Sequence, residues 1–254
     1  MKKALFSLNH LSKRYKVSKQ TLYALENISL SLYPQETLGL VGESGSGKST
    51  LARLLLALEP PSSGSIVYKE NNIFRMHKKE QKAWRKEVQI IFQDPHSALD
   101  PRMTLKDIVA EPFYIHEKKP TEEEIDLLFL QVGLSPLLKH RFSHELSGGQ
   151  KHRVSIARAL ALKPHFLACD EILAALDVSL QAQIVQLLQT LQSGYPLTYL
   201  FISHDLRMVR YLATRIAVLY LGHLVETGPT EELYTNPLHP YTQALLSAIP
   251  MPDP

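Results

Sequence analysis

Cysteine is almost absent from this sequence. The one thiol, Cys169, excludes an internal disulfide framework and suits a reducing compartment. It lies in an apolar run and reads as a small buried residue. No stretch reaches the roughly 18–20 apolar residues that a membrane-spanning helix needs. Met1-Lys2-Lys3 is charged, but no long apolar run follows it, so a signal peptide is not expected. Any service to a membrane should therefore pass through partners. A surplus of one charge is missing too. The 28 basic and 25 acidic residues leave +3, too mild a balance to argue for nucleic acid. The basic clusters at Lys13-Arg14-Tyr15-Lys16 and at Lys78-Lys79 and Arg85-Lys86 read as solvated faces. There are no internal repeats and no low-complexity tract. What is present is an ordinary globular composition, 44% hydrophobic and 21% charged over 254 residues. That is enough chain for one large α/β domain, or for a core with an inserted subdomain.

Two hydrophobic periods alternate along the chain. Residues 24–32 alternate as a strand, with Ala24, Glu26, Ile28, Leu30 and Leu32 set against Leu25, Asn27, Ser29 and Ser31. A turn at 33–36 leads to a short apolar run, 37–41, which enters a glycine loop. From 48 to 58 the period becomes helical, with Leu51, Leu54, Leu55 and Leu58 on one face, and Pro60-Pro61-Ser62-Ser63-Gly64 stops it. Residues 88–92 form a further buried-strand candidate. Between 93 and about 163 short helical stretches such as 121–132 appear and no strand does, which predicts a mostly helical insertion. Strand-like runs return at 165–169, 197–203 and 215–220. A helix lies between the first two, marked by Leu180, Ile184, Leu187, Leu188 and Leu191. That order predicts a parallel sheet with right-handed crossovers. Short helices should close the chain beyond Gly228 and Pro229, with 249–254 as an extended tail.

The most specific motif is Gly42-Glu43-Ser44-Gly45-Ser46-Gly47-Lys48-Ser49, followed by Thr50. It matches G-x-x-x-x-G-K-[ST] between an apolar strand and an amphipathic helix. Glycines let the backbone curl so that successive N–H groups face phosphate oxygens. The helix beginning near Lys48 adds its positive end. Lys48 brings a point charge to the β- and γ-phosphates, and the Ser49 hydroxyl can ligate Mg²⁺. An ordinary glycine-rich turn would not need the lysine or the flanking pattern. This is a nucleotide site.

Three downstream segments complete a chemistry. Ser147 and Gln150 in Leu146-Ser147-Gly148-Gly149-Gln150 have capping-box spacing. Gly148 and Gly149 cost a helix about 1 kcal/mol each relative to alanine, yet they would let a ligand approach bare amides at the positive helix end. The apolar run ending in Asp170-Glu171 places two carboxylates at the carboxyl end of a buried strand, where open α/β sheets bind ligands. Asp170 can serve the Mg²⁺ shell, and Glu171 can orient or deprotonate a water. Another apolar strand ends at His204, expected on the same sheet edge as the phosphate loop.

In this order the elements resemble the ATP-binding-cassette ATPase family along nearly the whole chain. The resemblance implies an α/β fold: a P-loop NTPase core with a mostly parallel sheet, an N-terminal antiparallel β subdomain and an inserted helical signature subdomain. The expected division is a catalytic core at 1–92 and 164–235, the insertion at 93–163 and a C-terminal tail at 236–254. Gln93 is similar to the family's Q-loop glutamine, which reaches the Mg²⁺ and senses the membrane subunit. Residues 146–150 resemble the signature, Ala175-Leu176-Asp177 the D-loop, His204 the switch histidine, and Tyr15 an adenine-stacking aromatic. The family pattern implies a head-to-tail dimer with each ATP between one subunit's phosphate loop and the other's Ser147–Gln150 segment. Residues 41–50, 92–95, 236–242 and 245–250 together further resemble the oligopeptide/dipeptide/nickel importer group. That branch implies a second ATPase subunit (a paralogue or a second copy), two transmembrane permease subunits and an extracytoplasmic binding protein. The chain would then sit peripherally on the cytoplasmic face of a bacterial membrane, without nucleic acid.

The sequence also departs from the family. Ile172-Leu173-Ala174 stands where Pro-Thr-Ser is usual, Lys151-His152 where Arg-Gln is common, and Gln35 at a usual turn glycine. An alternative is therefore a nucleotide-gated partner that closes on ATP and leaves hydrolysis to a paralogue. A soluble relative in DNA repair or translation is the third reading; it would usually carry two cassettes or a long coiled-coil insertion. The cargo is not legible, because specificity lies mainly in other subunits.

Overall fold

The structure, a computed structural model, describes residues 3–18, 20–174 and 176–248. Ala175 of the D-loop candidate and the 249–254 tail lie outside them. Strands β1 (Phe6–Val17) and β2 (Gln20–Leu32) lead through β3 (Thr37–Val41) to helix α1 (Lys48–Leu55), then β4 (Ser63–Tyr68) and β5 (Asn71–Asn72). Next come α2 (Lys78–Glu87), β6 (Val88–Ile91), α3 (Pro95–Ala98), α4 (Leu105–Ile115) and α5 (Glu122–Gln131). After two 3₁₀ turns follow α6 (Gly148–Leu160), β7 (Phe166–Asp170) and α7 (Val178–Gly194). The chain finishes with β8 (Thr198–Ile202), α8 (Leu206–Leu212), β9 (Arg215–Tyr220), β10 (His223–Pro229), α9 (Thr230–Thr235) and α10 (Pro240–Ser247). Among the described residues no helix is long and apolar enough to cross a membrane.

Two compact units divide the chain: Met1–Gln81 with Thr198–Pro254, and Lys82–Leu197. The first holds an antiparallel sheet in the order β2-β1-β4-β5. It also holds a run of strands in which β3 pairs in parallel with β8 on one side and β9 on the other, with β10 antiparallel beyond β9. Every residue of β3 is buried, as expected of a strand flanked by parallel neighbours, and its near-continuous apolar composition follows. In the second unit β6 and β7 pair in parallel, Val88 with Phe166 through Ile91 with Cys169. Helices α3 to α7 lie in the same unit, and α5 begins with a reciprocal cap. Thr121 Oγ1 accepts the Glu124 N–H at 3.2 Å, and Glu124 Oε2 accepts that of Thr121 at 2.9 Å. Cys169 is fully buried, and burial pushes its thiol well above the ordinary range.

Three expectations change on folding. The alternation over 24–32 breaks at Asn27, whose φ of 54° places it in the left-handed region that asparagine tolerates. The ladder with β1 shifts there, so Leu25 and Ile28 are both buried. Asn27 is held by its N–H to Ser12 Oγ at 3.0 Å and by His10 Nδ1 at 2.8 Å from its Oδ1. Helix α1 stops at Leu55, because Ala57 turns left-handed at φ 48°, and Leu58 is left exposed. Lys13, read as part of a solvated face, is 9% exposed. Its ammonium donates to the Pro60 carbonyl at 2.7 Å and pairs with Glu59 at 2.8 Å. Gln35 accounts for its own departure: it takes φ 62° where the turn wants glycine, and its N–H donates to Thr198 Oγ1 at 2.9 Å.

Gly39 lets α8 approach the strand beneath the phosphate loop. A Cβ there would lie 2.6 Å from Val209 Cγ1 and 3.0 Å from Ala213 Cβ. Gly39→Ala should cost about 1–3 kcal/mol of stability through overpacking, read as a lowered melting temperature in the nucleotide-free protein.

Candidate functional site

The phosphate loop leaves β3 and enters α1 through three glycines with positive φ, Gly42 (146°), Gly45 (81°) and Gly47 (107°). Gly47 is the N-cap of α1 and caps with no side chain. Close backbone approach explains two of the three. A Cβ on Gly42 would lie 2.1 Å from the Leu219 carbonyl oxygen, and one on Gly47 would lie 2.5 Å from that of Ala24. At Gly45 a Cβ would meet nothing within 4 Å, so that glycine serves conformation and open approach. The Ser46 N–H donates to the Glu43 carbonyl at 3.2 Å, and Gly222 N–H donates to the Ser46 carbonyl at 3.1 Å. Lys48 is 5% exposed, and its ammonium donates to the carbonyls of Gly42 and Glu43, both at 2.8 Å. Ser44 is exposed, while Ser49 and Thr50 are half-buried on the first turn of the helix. The cradle fits a polyphosphate: a curled backbone, the positive start of an eight-residue helix and one lysine on the same short arc.

His204 follows β8 and is exposed. Parallel pairing sets Leu40 beside Ile202, and the Ser203 N–H donates to the Leu40 carbonyl at 3.4 Å. The histidine therefore leaves the sheet on the edge where the phosphate loop begins, as the sequence pattern predicts. Asp205 caps α8 by accepting the Arg207 N–H at 2.9 Å. Tyr15 sits half-buried on β1 with its hydroxyl donating to Glu59 Oε2 at 2.7 Å and the Lys13 ammonium 5.0 Å from its ring centre. Burial pushes the carboxyl of Glu59 up, but the Lys13 ammonium and the Tyr15 hydroxyl outweigh it and hold the group below its ordinary value.

The second unit carries the remaining candidates. Parallel strands β6 and β7 end together, which brings Gln93 and Glu171 into contact: Gln93 Nε2 donates to Glu171 Oε2 at 3.2 Å. Glu171 has φ 49°, a left-handed conformation uncommon for a non-glycine residue and usually held by its surroundings. Asp170 is the last residue of β7. The departure at Ile172 and Leu173 has a packing reason, because their side chains are 1% and 3% exposed. Asp177, at the end of the D-loop candidate, caps α7 by accepting the Leu180 N–H at 2.9 Å.

Ser147 and Gln150 form the expected capping box on α6. Ser147 Oγ accepts the Gln150 N–H at 3.3 Å, and Gln150 Oε1 accepts the Ser147 N–H at 3.0 Å. The two glycines divide their roles. Gly148 is exposed, and a Cβ on it would meet nothing within 4 Å, so it leaves the helix start bare. Gly149 is buried, and a Cβ on it would stand 2.8 Å from Leu180 Cδ2, which makes it a contact point for α7. Open approach, expected at both glycines, therefore holds at Gly148 alone. On the same helix the Arg158 guanidinium donates to the Ala98 carbonyl at 2.7 Å and pairs with Glu111 at 2.9 Å. Arginine on a helix carries no sequence signal that separates such a tie from a solvated charge.

A family model described as ABC transporter matches residues 25–174, more than half of the chain. The chain belongs to the ABC transporter family. A second model, described as the oligopeptide/dipeptide transporter C-terminal region, matches residues 225–254. Among similar proteins, a putative oligopeptide transport ATP-binding protein of Bacillus subtilis, YkfD, is 49% identical over 93% of this chain and 73% of its own length. The oligopeptide transport ATP-binding protein OppF of the same organism is 47% identical over 100% and 85%, and that of Escherichia coli is 48% identical over 92% and 72%. Solved ABC structures share the fold. The ATP-binding cassette MJ0796, described as a post-hydrolysis dimer bound to ADP and Pi, has a TM-score of 0.79 at 27% identity, covering 89% of this chain and 98% of that one. CbiO1 from Clostridium perfringens, part of an ABC transporter complex, has a TM-score of 0.80 at 29% identity, covering 92% and 91%. As a member of the ABC transporter family the chain is an ATP-binding ATPase with the α/β P-loop fold.

The tight passage at Gly42 makes that residue the most sensitive in the loop. Gly42→Ala should weaken ATP binding by about tenfold or more, since the Cβ forces the loop off the Leu219 carbonyl in a conformation that side chains resist. Titration of ATP into the folded variant checks this.

Proposed function

We propose that this chain is the ATP-hydrolysing subunit of a bacterial ABC importer for peptides, working on the cytoplasmic face of the membrane. The observation that carries this reading is the union, in one chain, of the ATP-binding cassette with the oligopeptide/dipeptide transporter C-terminal region. Cargo as small peptides is supported by the names of the relatives that it matches over nearly its full length. The partners are a second ATPase subunit, two permease subunits and, through them, an extracytoplasmic binding protein. Nickel or other metal chelates remain the competing cargo within the same transporter branch.

Each residue takes a role that its setting supports. The loop amides and Lys48 bind the β- and γ-phosphates, and Tyr15 offers its ring to adenine. Among the described residues, no group of three or more His, Cys, Asp or Glu could hold a metal by itself. The Ser49 hydroxyl, the Gln93 side-chain oxygen and the Asp170 carboxylate are hard oxygen donors that suit Mg²⁺, which when bound neutralises phosphate charge. Glu171 accepts the proton of the attacking water as general base, oriented by its hydrogen bond from Gln93. His204 donates to the γ-phosphate side of the transition state. The exposed start of α6 at Ser147 and Gly148 addresses the nucleotide of the opposite subunit, so that ATP closes the dimer and hydrolysis releases it.

Two substitutions separate binding from chemistry. Glu171→Gln should lower turnover by about 10²–10⁴-fold, the usual worth of a general base, while ATP-dependent dimerisation persists. Normal turnover in that variant would remove Glu171 from the mechanism. Lys48→Ala should lose ATP affinity itself, and undiminished binding would refute the phosphate-loop role. In the wild type, Mg²⁺-dependent hydrolysis rising faster than linearly with protein concentration would indicate a self-sufficient dimer. ATP binding without turnover would instead indicate an obligate paralogue.

A further inference from the structure

The C-terminal segment reaches back to the phosphate loop. Glu226 on β10 accepts the N–H groups of Leu238 and His239 at 2.8 and 3.0 Å, which fastens the turn before α10 to the strand. His239 Nδ1 accepts the Tyr241 N–H at 3.1 Å and caps the helix. Pro240 opens the helix with no amide of its own to satisfy. Gln243 Nε2 then donates back to the Pro237 carbonyl at 2.9 Å. This locally closed turn delivers Tyr241 to one place. Its ring lies against Tyr220 with centres 4.2 Å apart, and its hydroxyl accepts the backbone N–H of Glu43 at 2.9 Å.

Glu43 is the second residue of the loop, and its N–H belongs to the peptide unit whose carbonyl is that of Gly42. In a trans peptide the two groups point in opposite directions. Tyr241 holds one side of this plane, and Lys48 holds the other by donating to the Gly42 carbonyl at 2.8 Å. The carbonyl of Glu43 also accepts from Lys48, at 2.8 Å, and from the Ser46 N–H at 3.2 Å. Rotation of the 42–43 peptide would therefore move the lysine's anchor and the first turn of the cradle together. Gly42, with no Cβ and φ 146°, offers little intrinsic resistance to that rotation. An outside hydrogen bond supplies it.

We propose that Tyr241 is a positioning residue for the phosphate loop: its hydroxyl, aimed by the Glu226-fastened turn and by Tyr220, holds the Gly42–Glu43 peptide plane and thereby sets ATP affinity. The proposal rests on the reading of residues 42–49 as the ATP phosphate site. It gives the C-terminal region a direct part in nucleotide binding, and it makes movement of that region a means of altering affinity. The hydroxyl binds no phosphate, so its effect should fall on KM and Kd for ATP and leave kcat at saturation nearly unchanged.

Tyr241→Phe keeps the ring on Tyr220 and removes the hydroxyl. Calorimetric titration with ATP should show Kd raised about three- to tenfold, the usual worth of one hydrogen bond. Steady-state hydrolysis should show KM raised alike and kcat within about twofold. Amide exchange at Glu43 should accelerate, and melting of the nucleotide-free protein should stay close to wild type. Glu226→Ala, which releases the turn and leaves Tyr241 chemically intact, should weaken ATP to a similar extent, and the double variant should add little. Unchanged ATP affinity in Tyr241→Phe overturns the proposal. So does a loss of affinity that comes with a matching fall in melting temperature, since that is general packing. A wild-type chain that failed to bind ATP would overturn the nucleotide-site reading beneath it. Wild-type binding with an indifferent Tyr241→Phe overturns the positioning role alone.

Discussion

At Gly42 the backbone passes so close to β9 that a Cβ would stand 2.1 Å from the Leu219 carbonyl oxygen, and the rest of the phosphate loop is arranged around that approach. Only a residue without a side chain can make the turn, and the turn sets where the amides of the arc face and where Lys48 finds its two carbonyls. The supports come from distant parts of the chain. Gly222 donates to the Ser46 carbonyl, Glu26 donates to the Gly222 carbonyl, and Tyr241 accepts from Glu43. A glycine-rich loop is intrinsically pliant. Here it is made definite by bonds within the motif, by a backbone bond from the turn after β9, itself tied to β2, and by the Tyr241 hydroxyl of a C-terminal helix, so the surroundings share in its preorganisation.

In the second unit the same economy of residues is visible. The capping box at Ser147 and Gln150 satisfies the first turn of α6 with side chains, which leaves the bare Gly148 end accessible. The helix start is thus capped and still presents its positive end. Gly149 belongs to the packing of α7, so the two adjacent glycines of the signature answer to different constraints. The substitution of Ile172 and Leu173 after the acidic pair also answers to packing, for both side chains are buried. The contact between Gln93 and Glu171 persists beside them.

Charge is used locally. Lys13, Glu59 and Tyr15 form one cluster next to the loop's helix, in which the lysine is buried because a carboxylate, a carbonyl and an aromatic ring share its ammonium. Sequence reasoning counts such a lysine among solvated charges, since the partner lies 46 positions away. The aromatic beside it is the same Tyr15 that the family resemblance nominates for adenine. Its hydroxyl and ring are held by Glu59 and Lys13.

The sequence by itself determined the class of fold, the phosphate loop, the acidic pair, the signature cap and the histidine at a strand end. All of these follow from contiguous residues whose spacing is read against a helical or extended period, and each motif carries its own local geometry. The strand candidates at 215–220 and 37–41 survive for the same reason, since burial on both faces leaves a continuous apolar run. Tertiary structure alone decided the rest. The phase shift at Asn27, the burial of Lys13, the division of labour between Gly148 and Gly149, and the contact of Tyr241 with Glu43 all join residues far apart in the chain, or depend on what lies opposite them. A lysine, a glycine or a tyrosine carries no mark of its future neighbour. Its role is fixed only when strand pairing and helix packing bring the neighbour within the few ångströms over which hydrogen bonds and steric exclusion act.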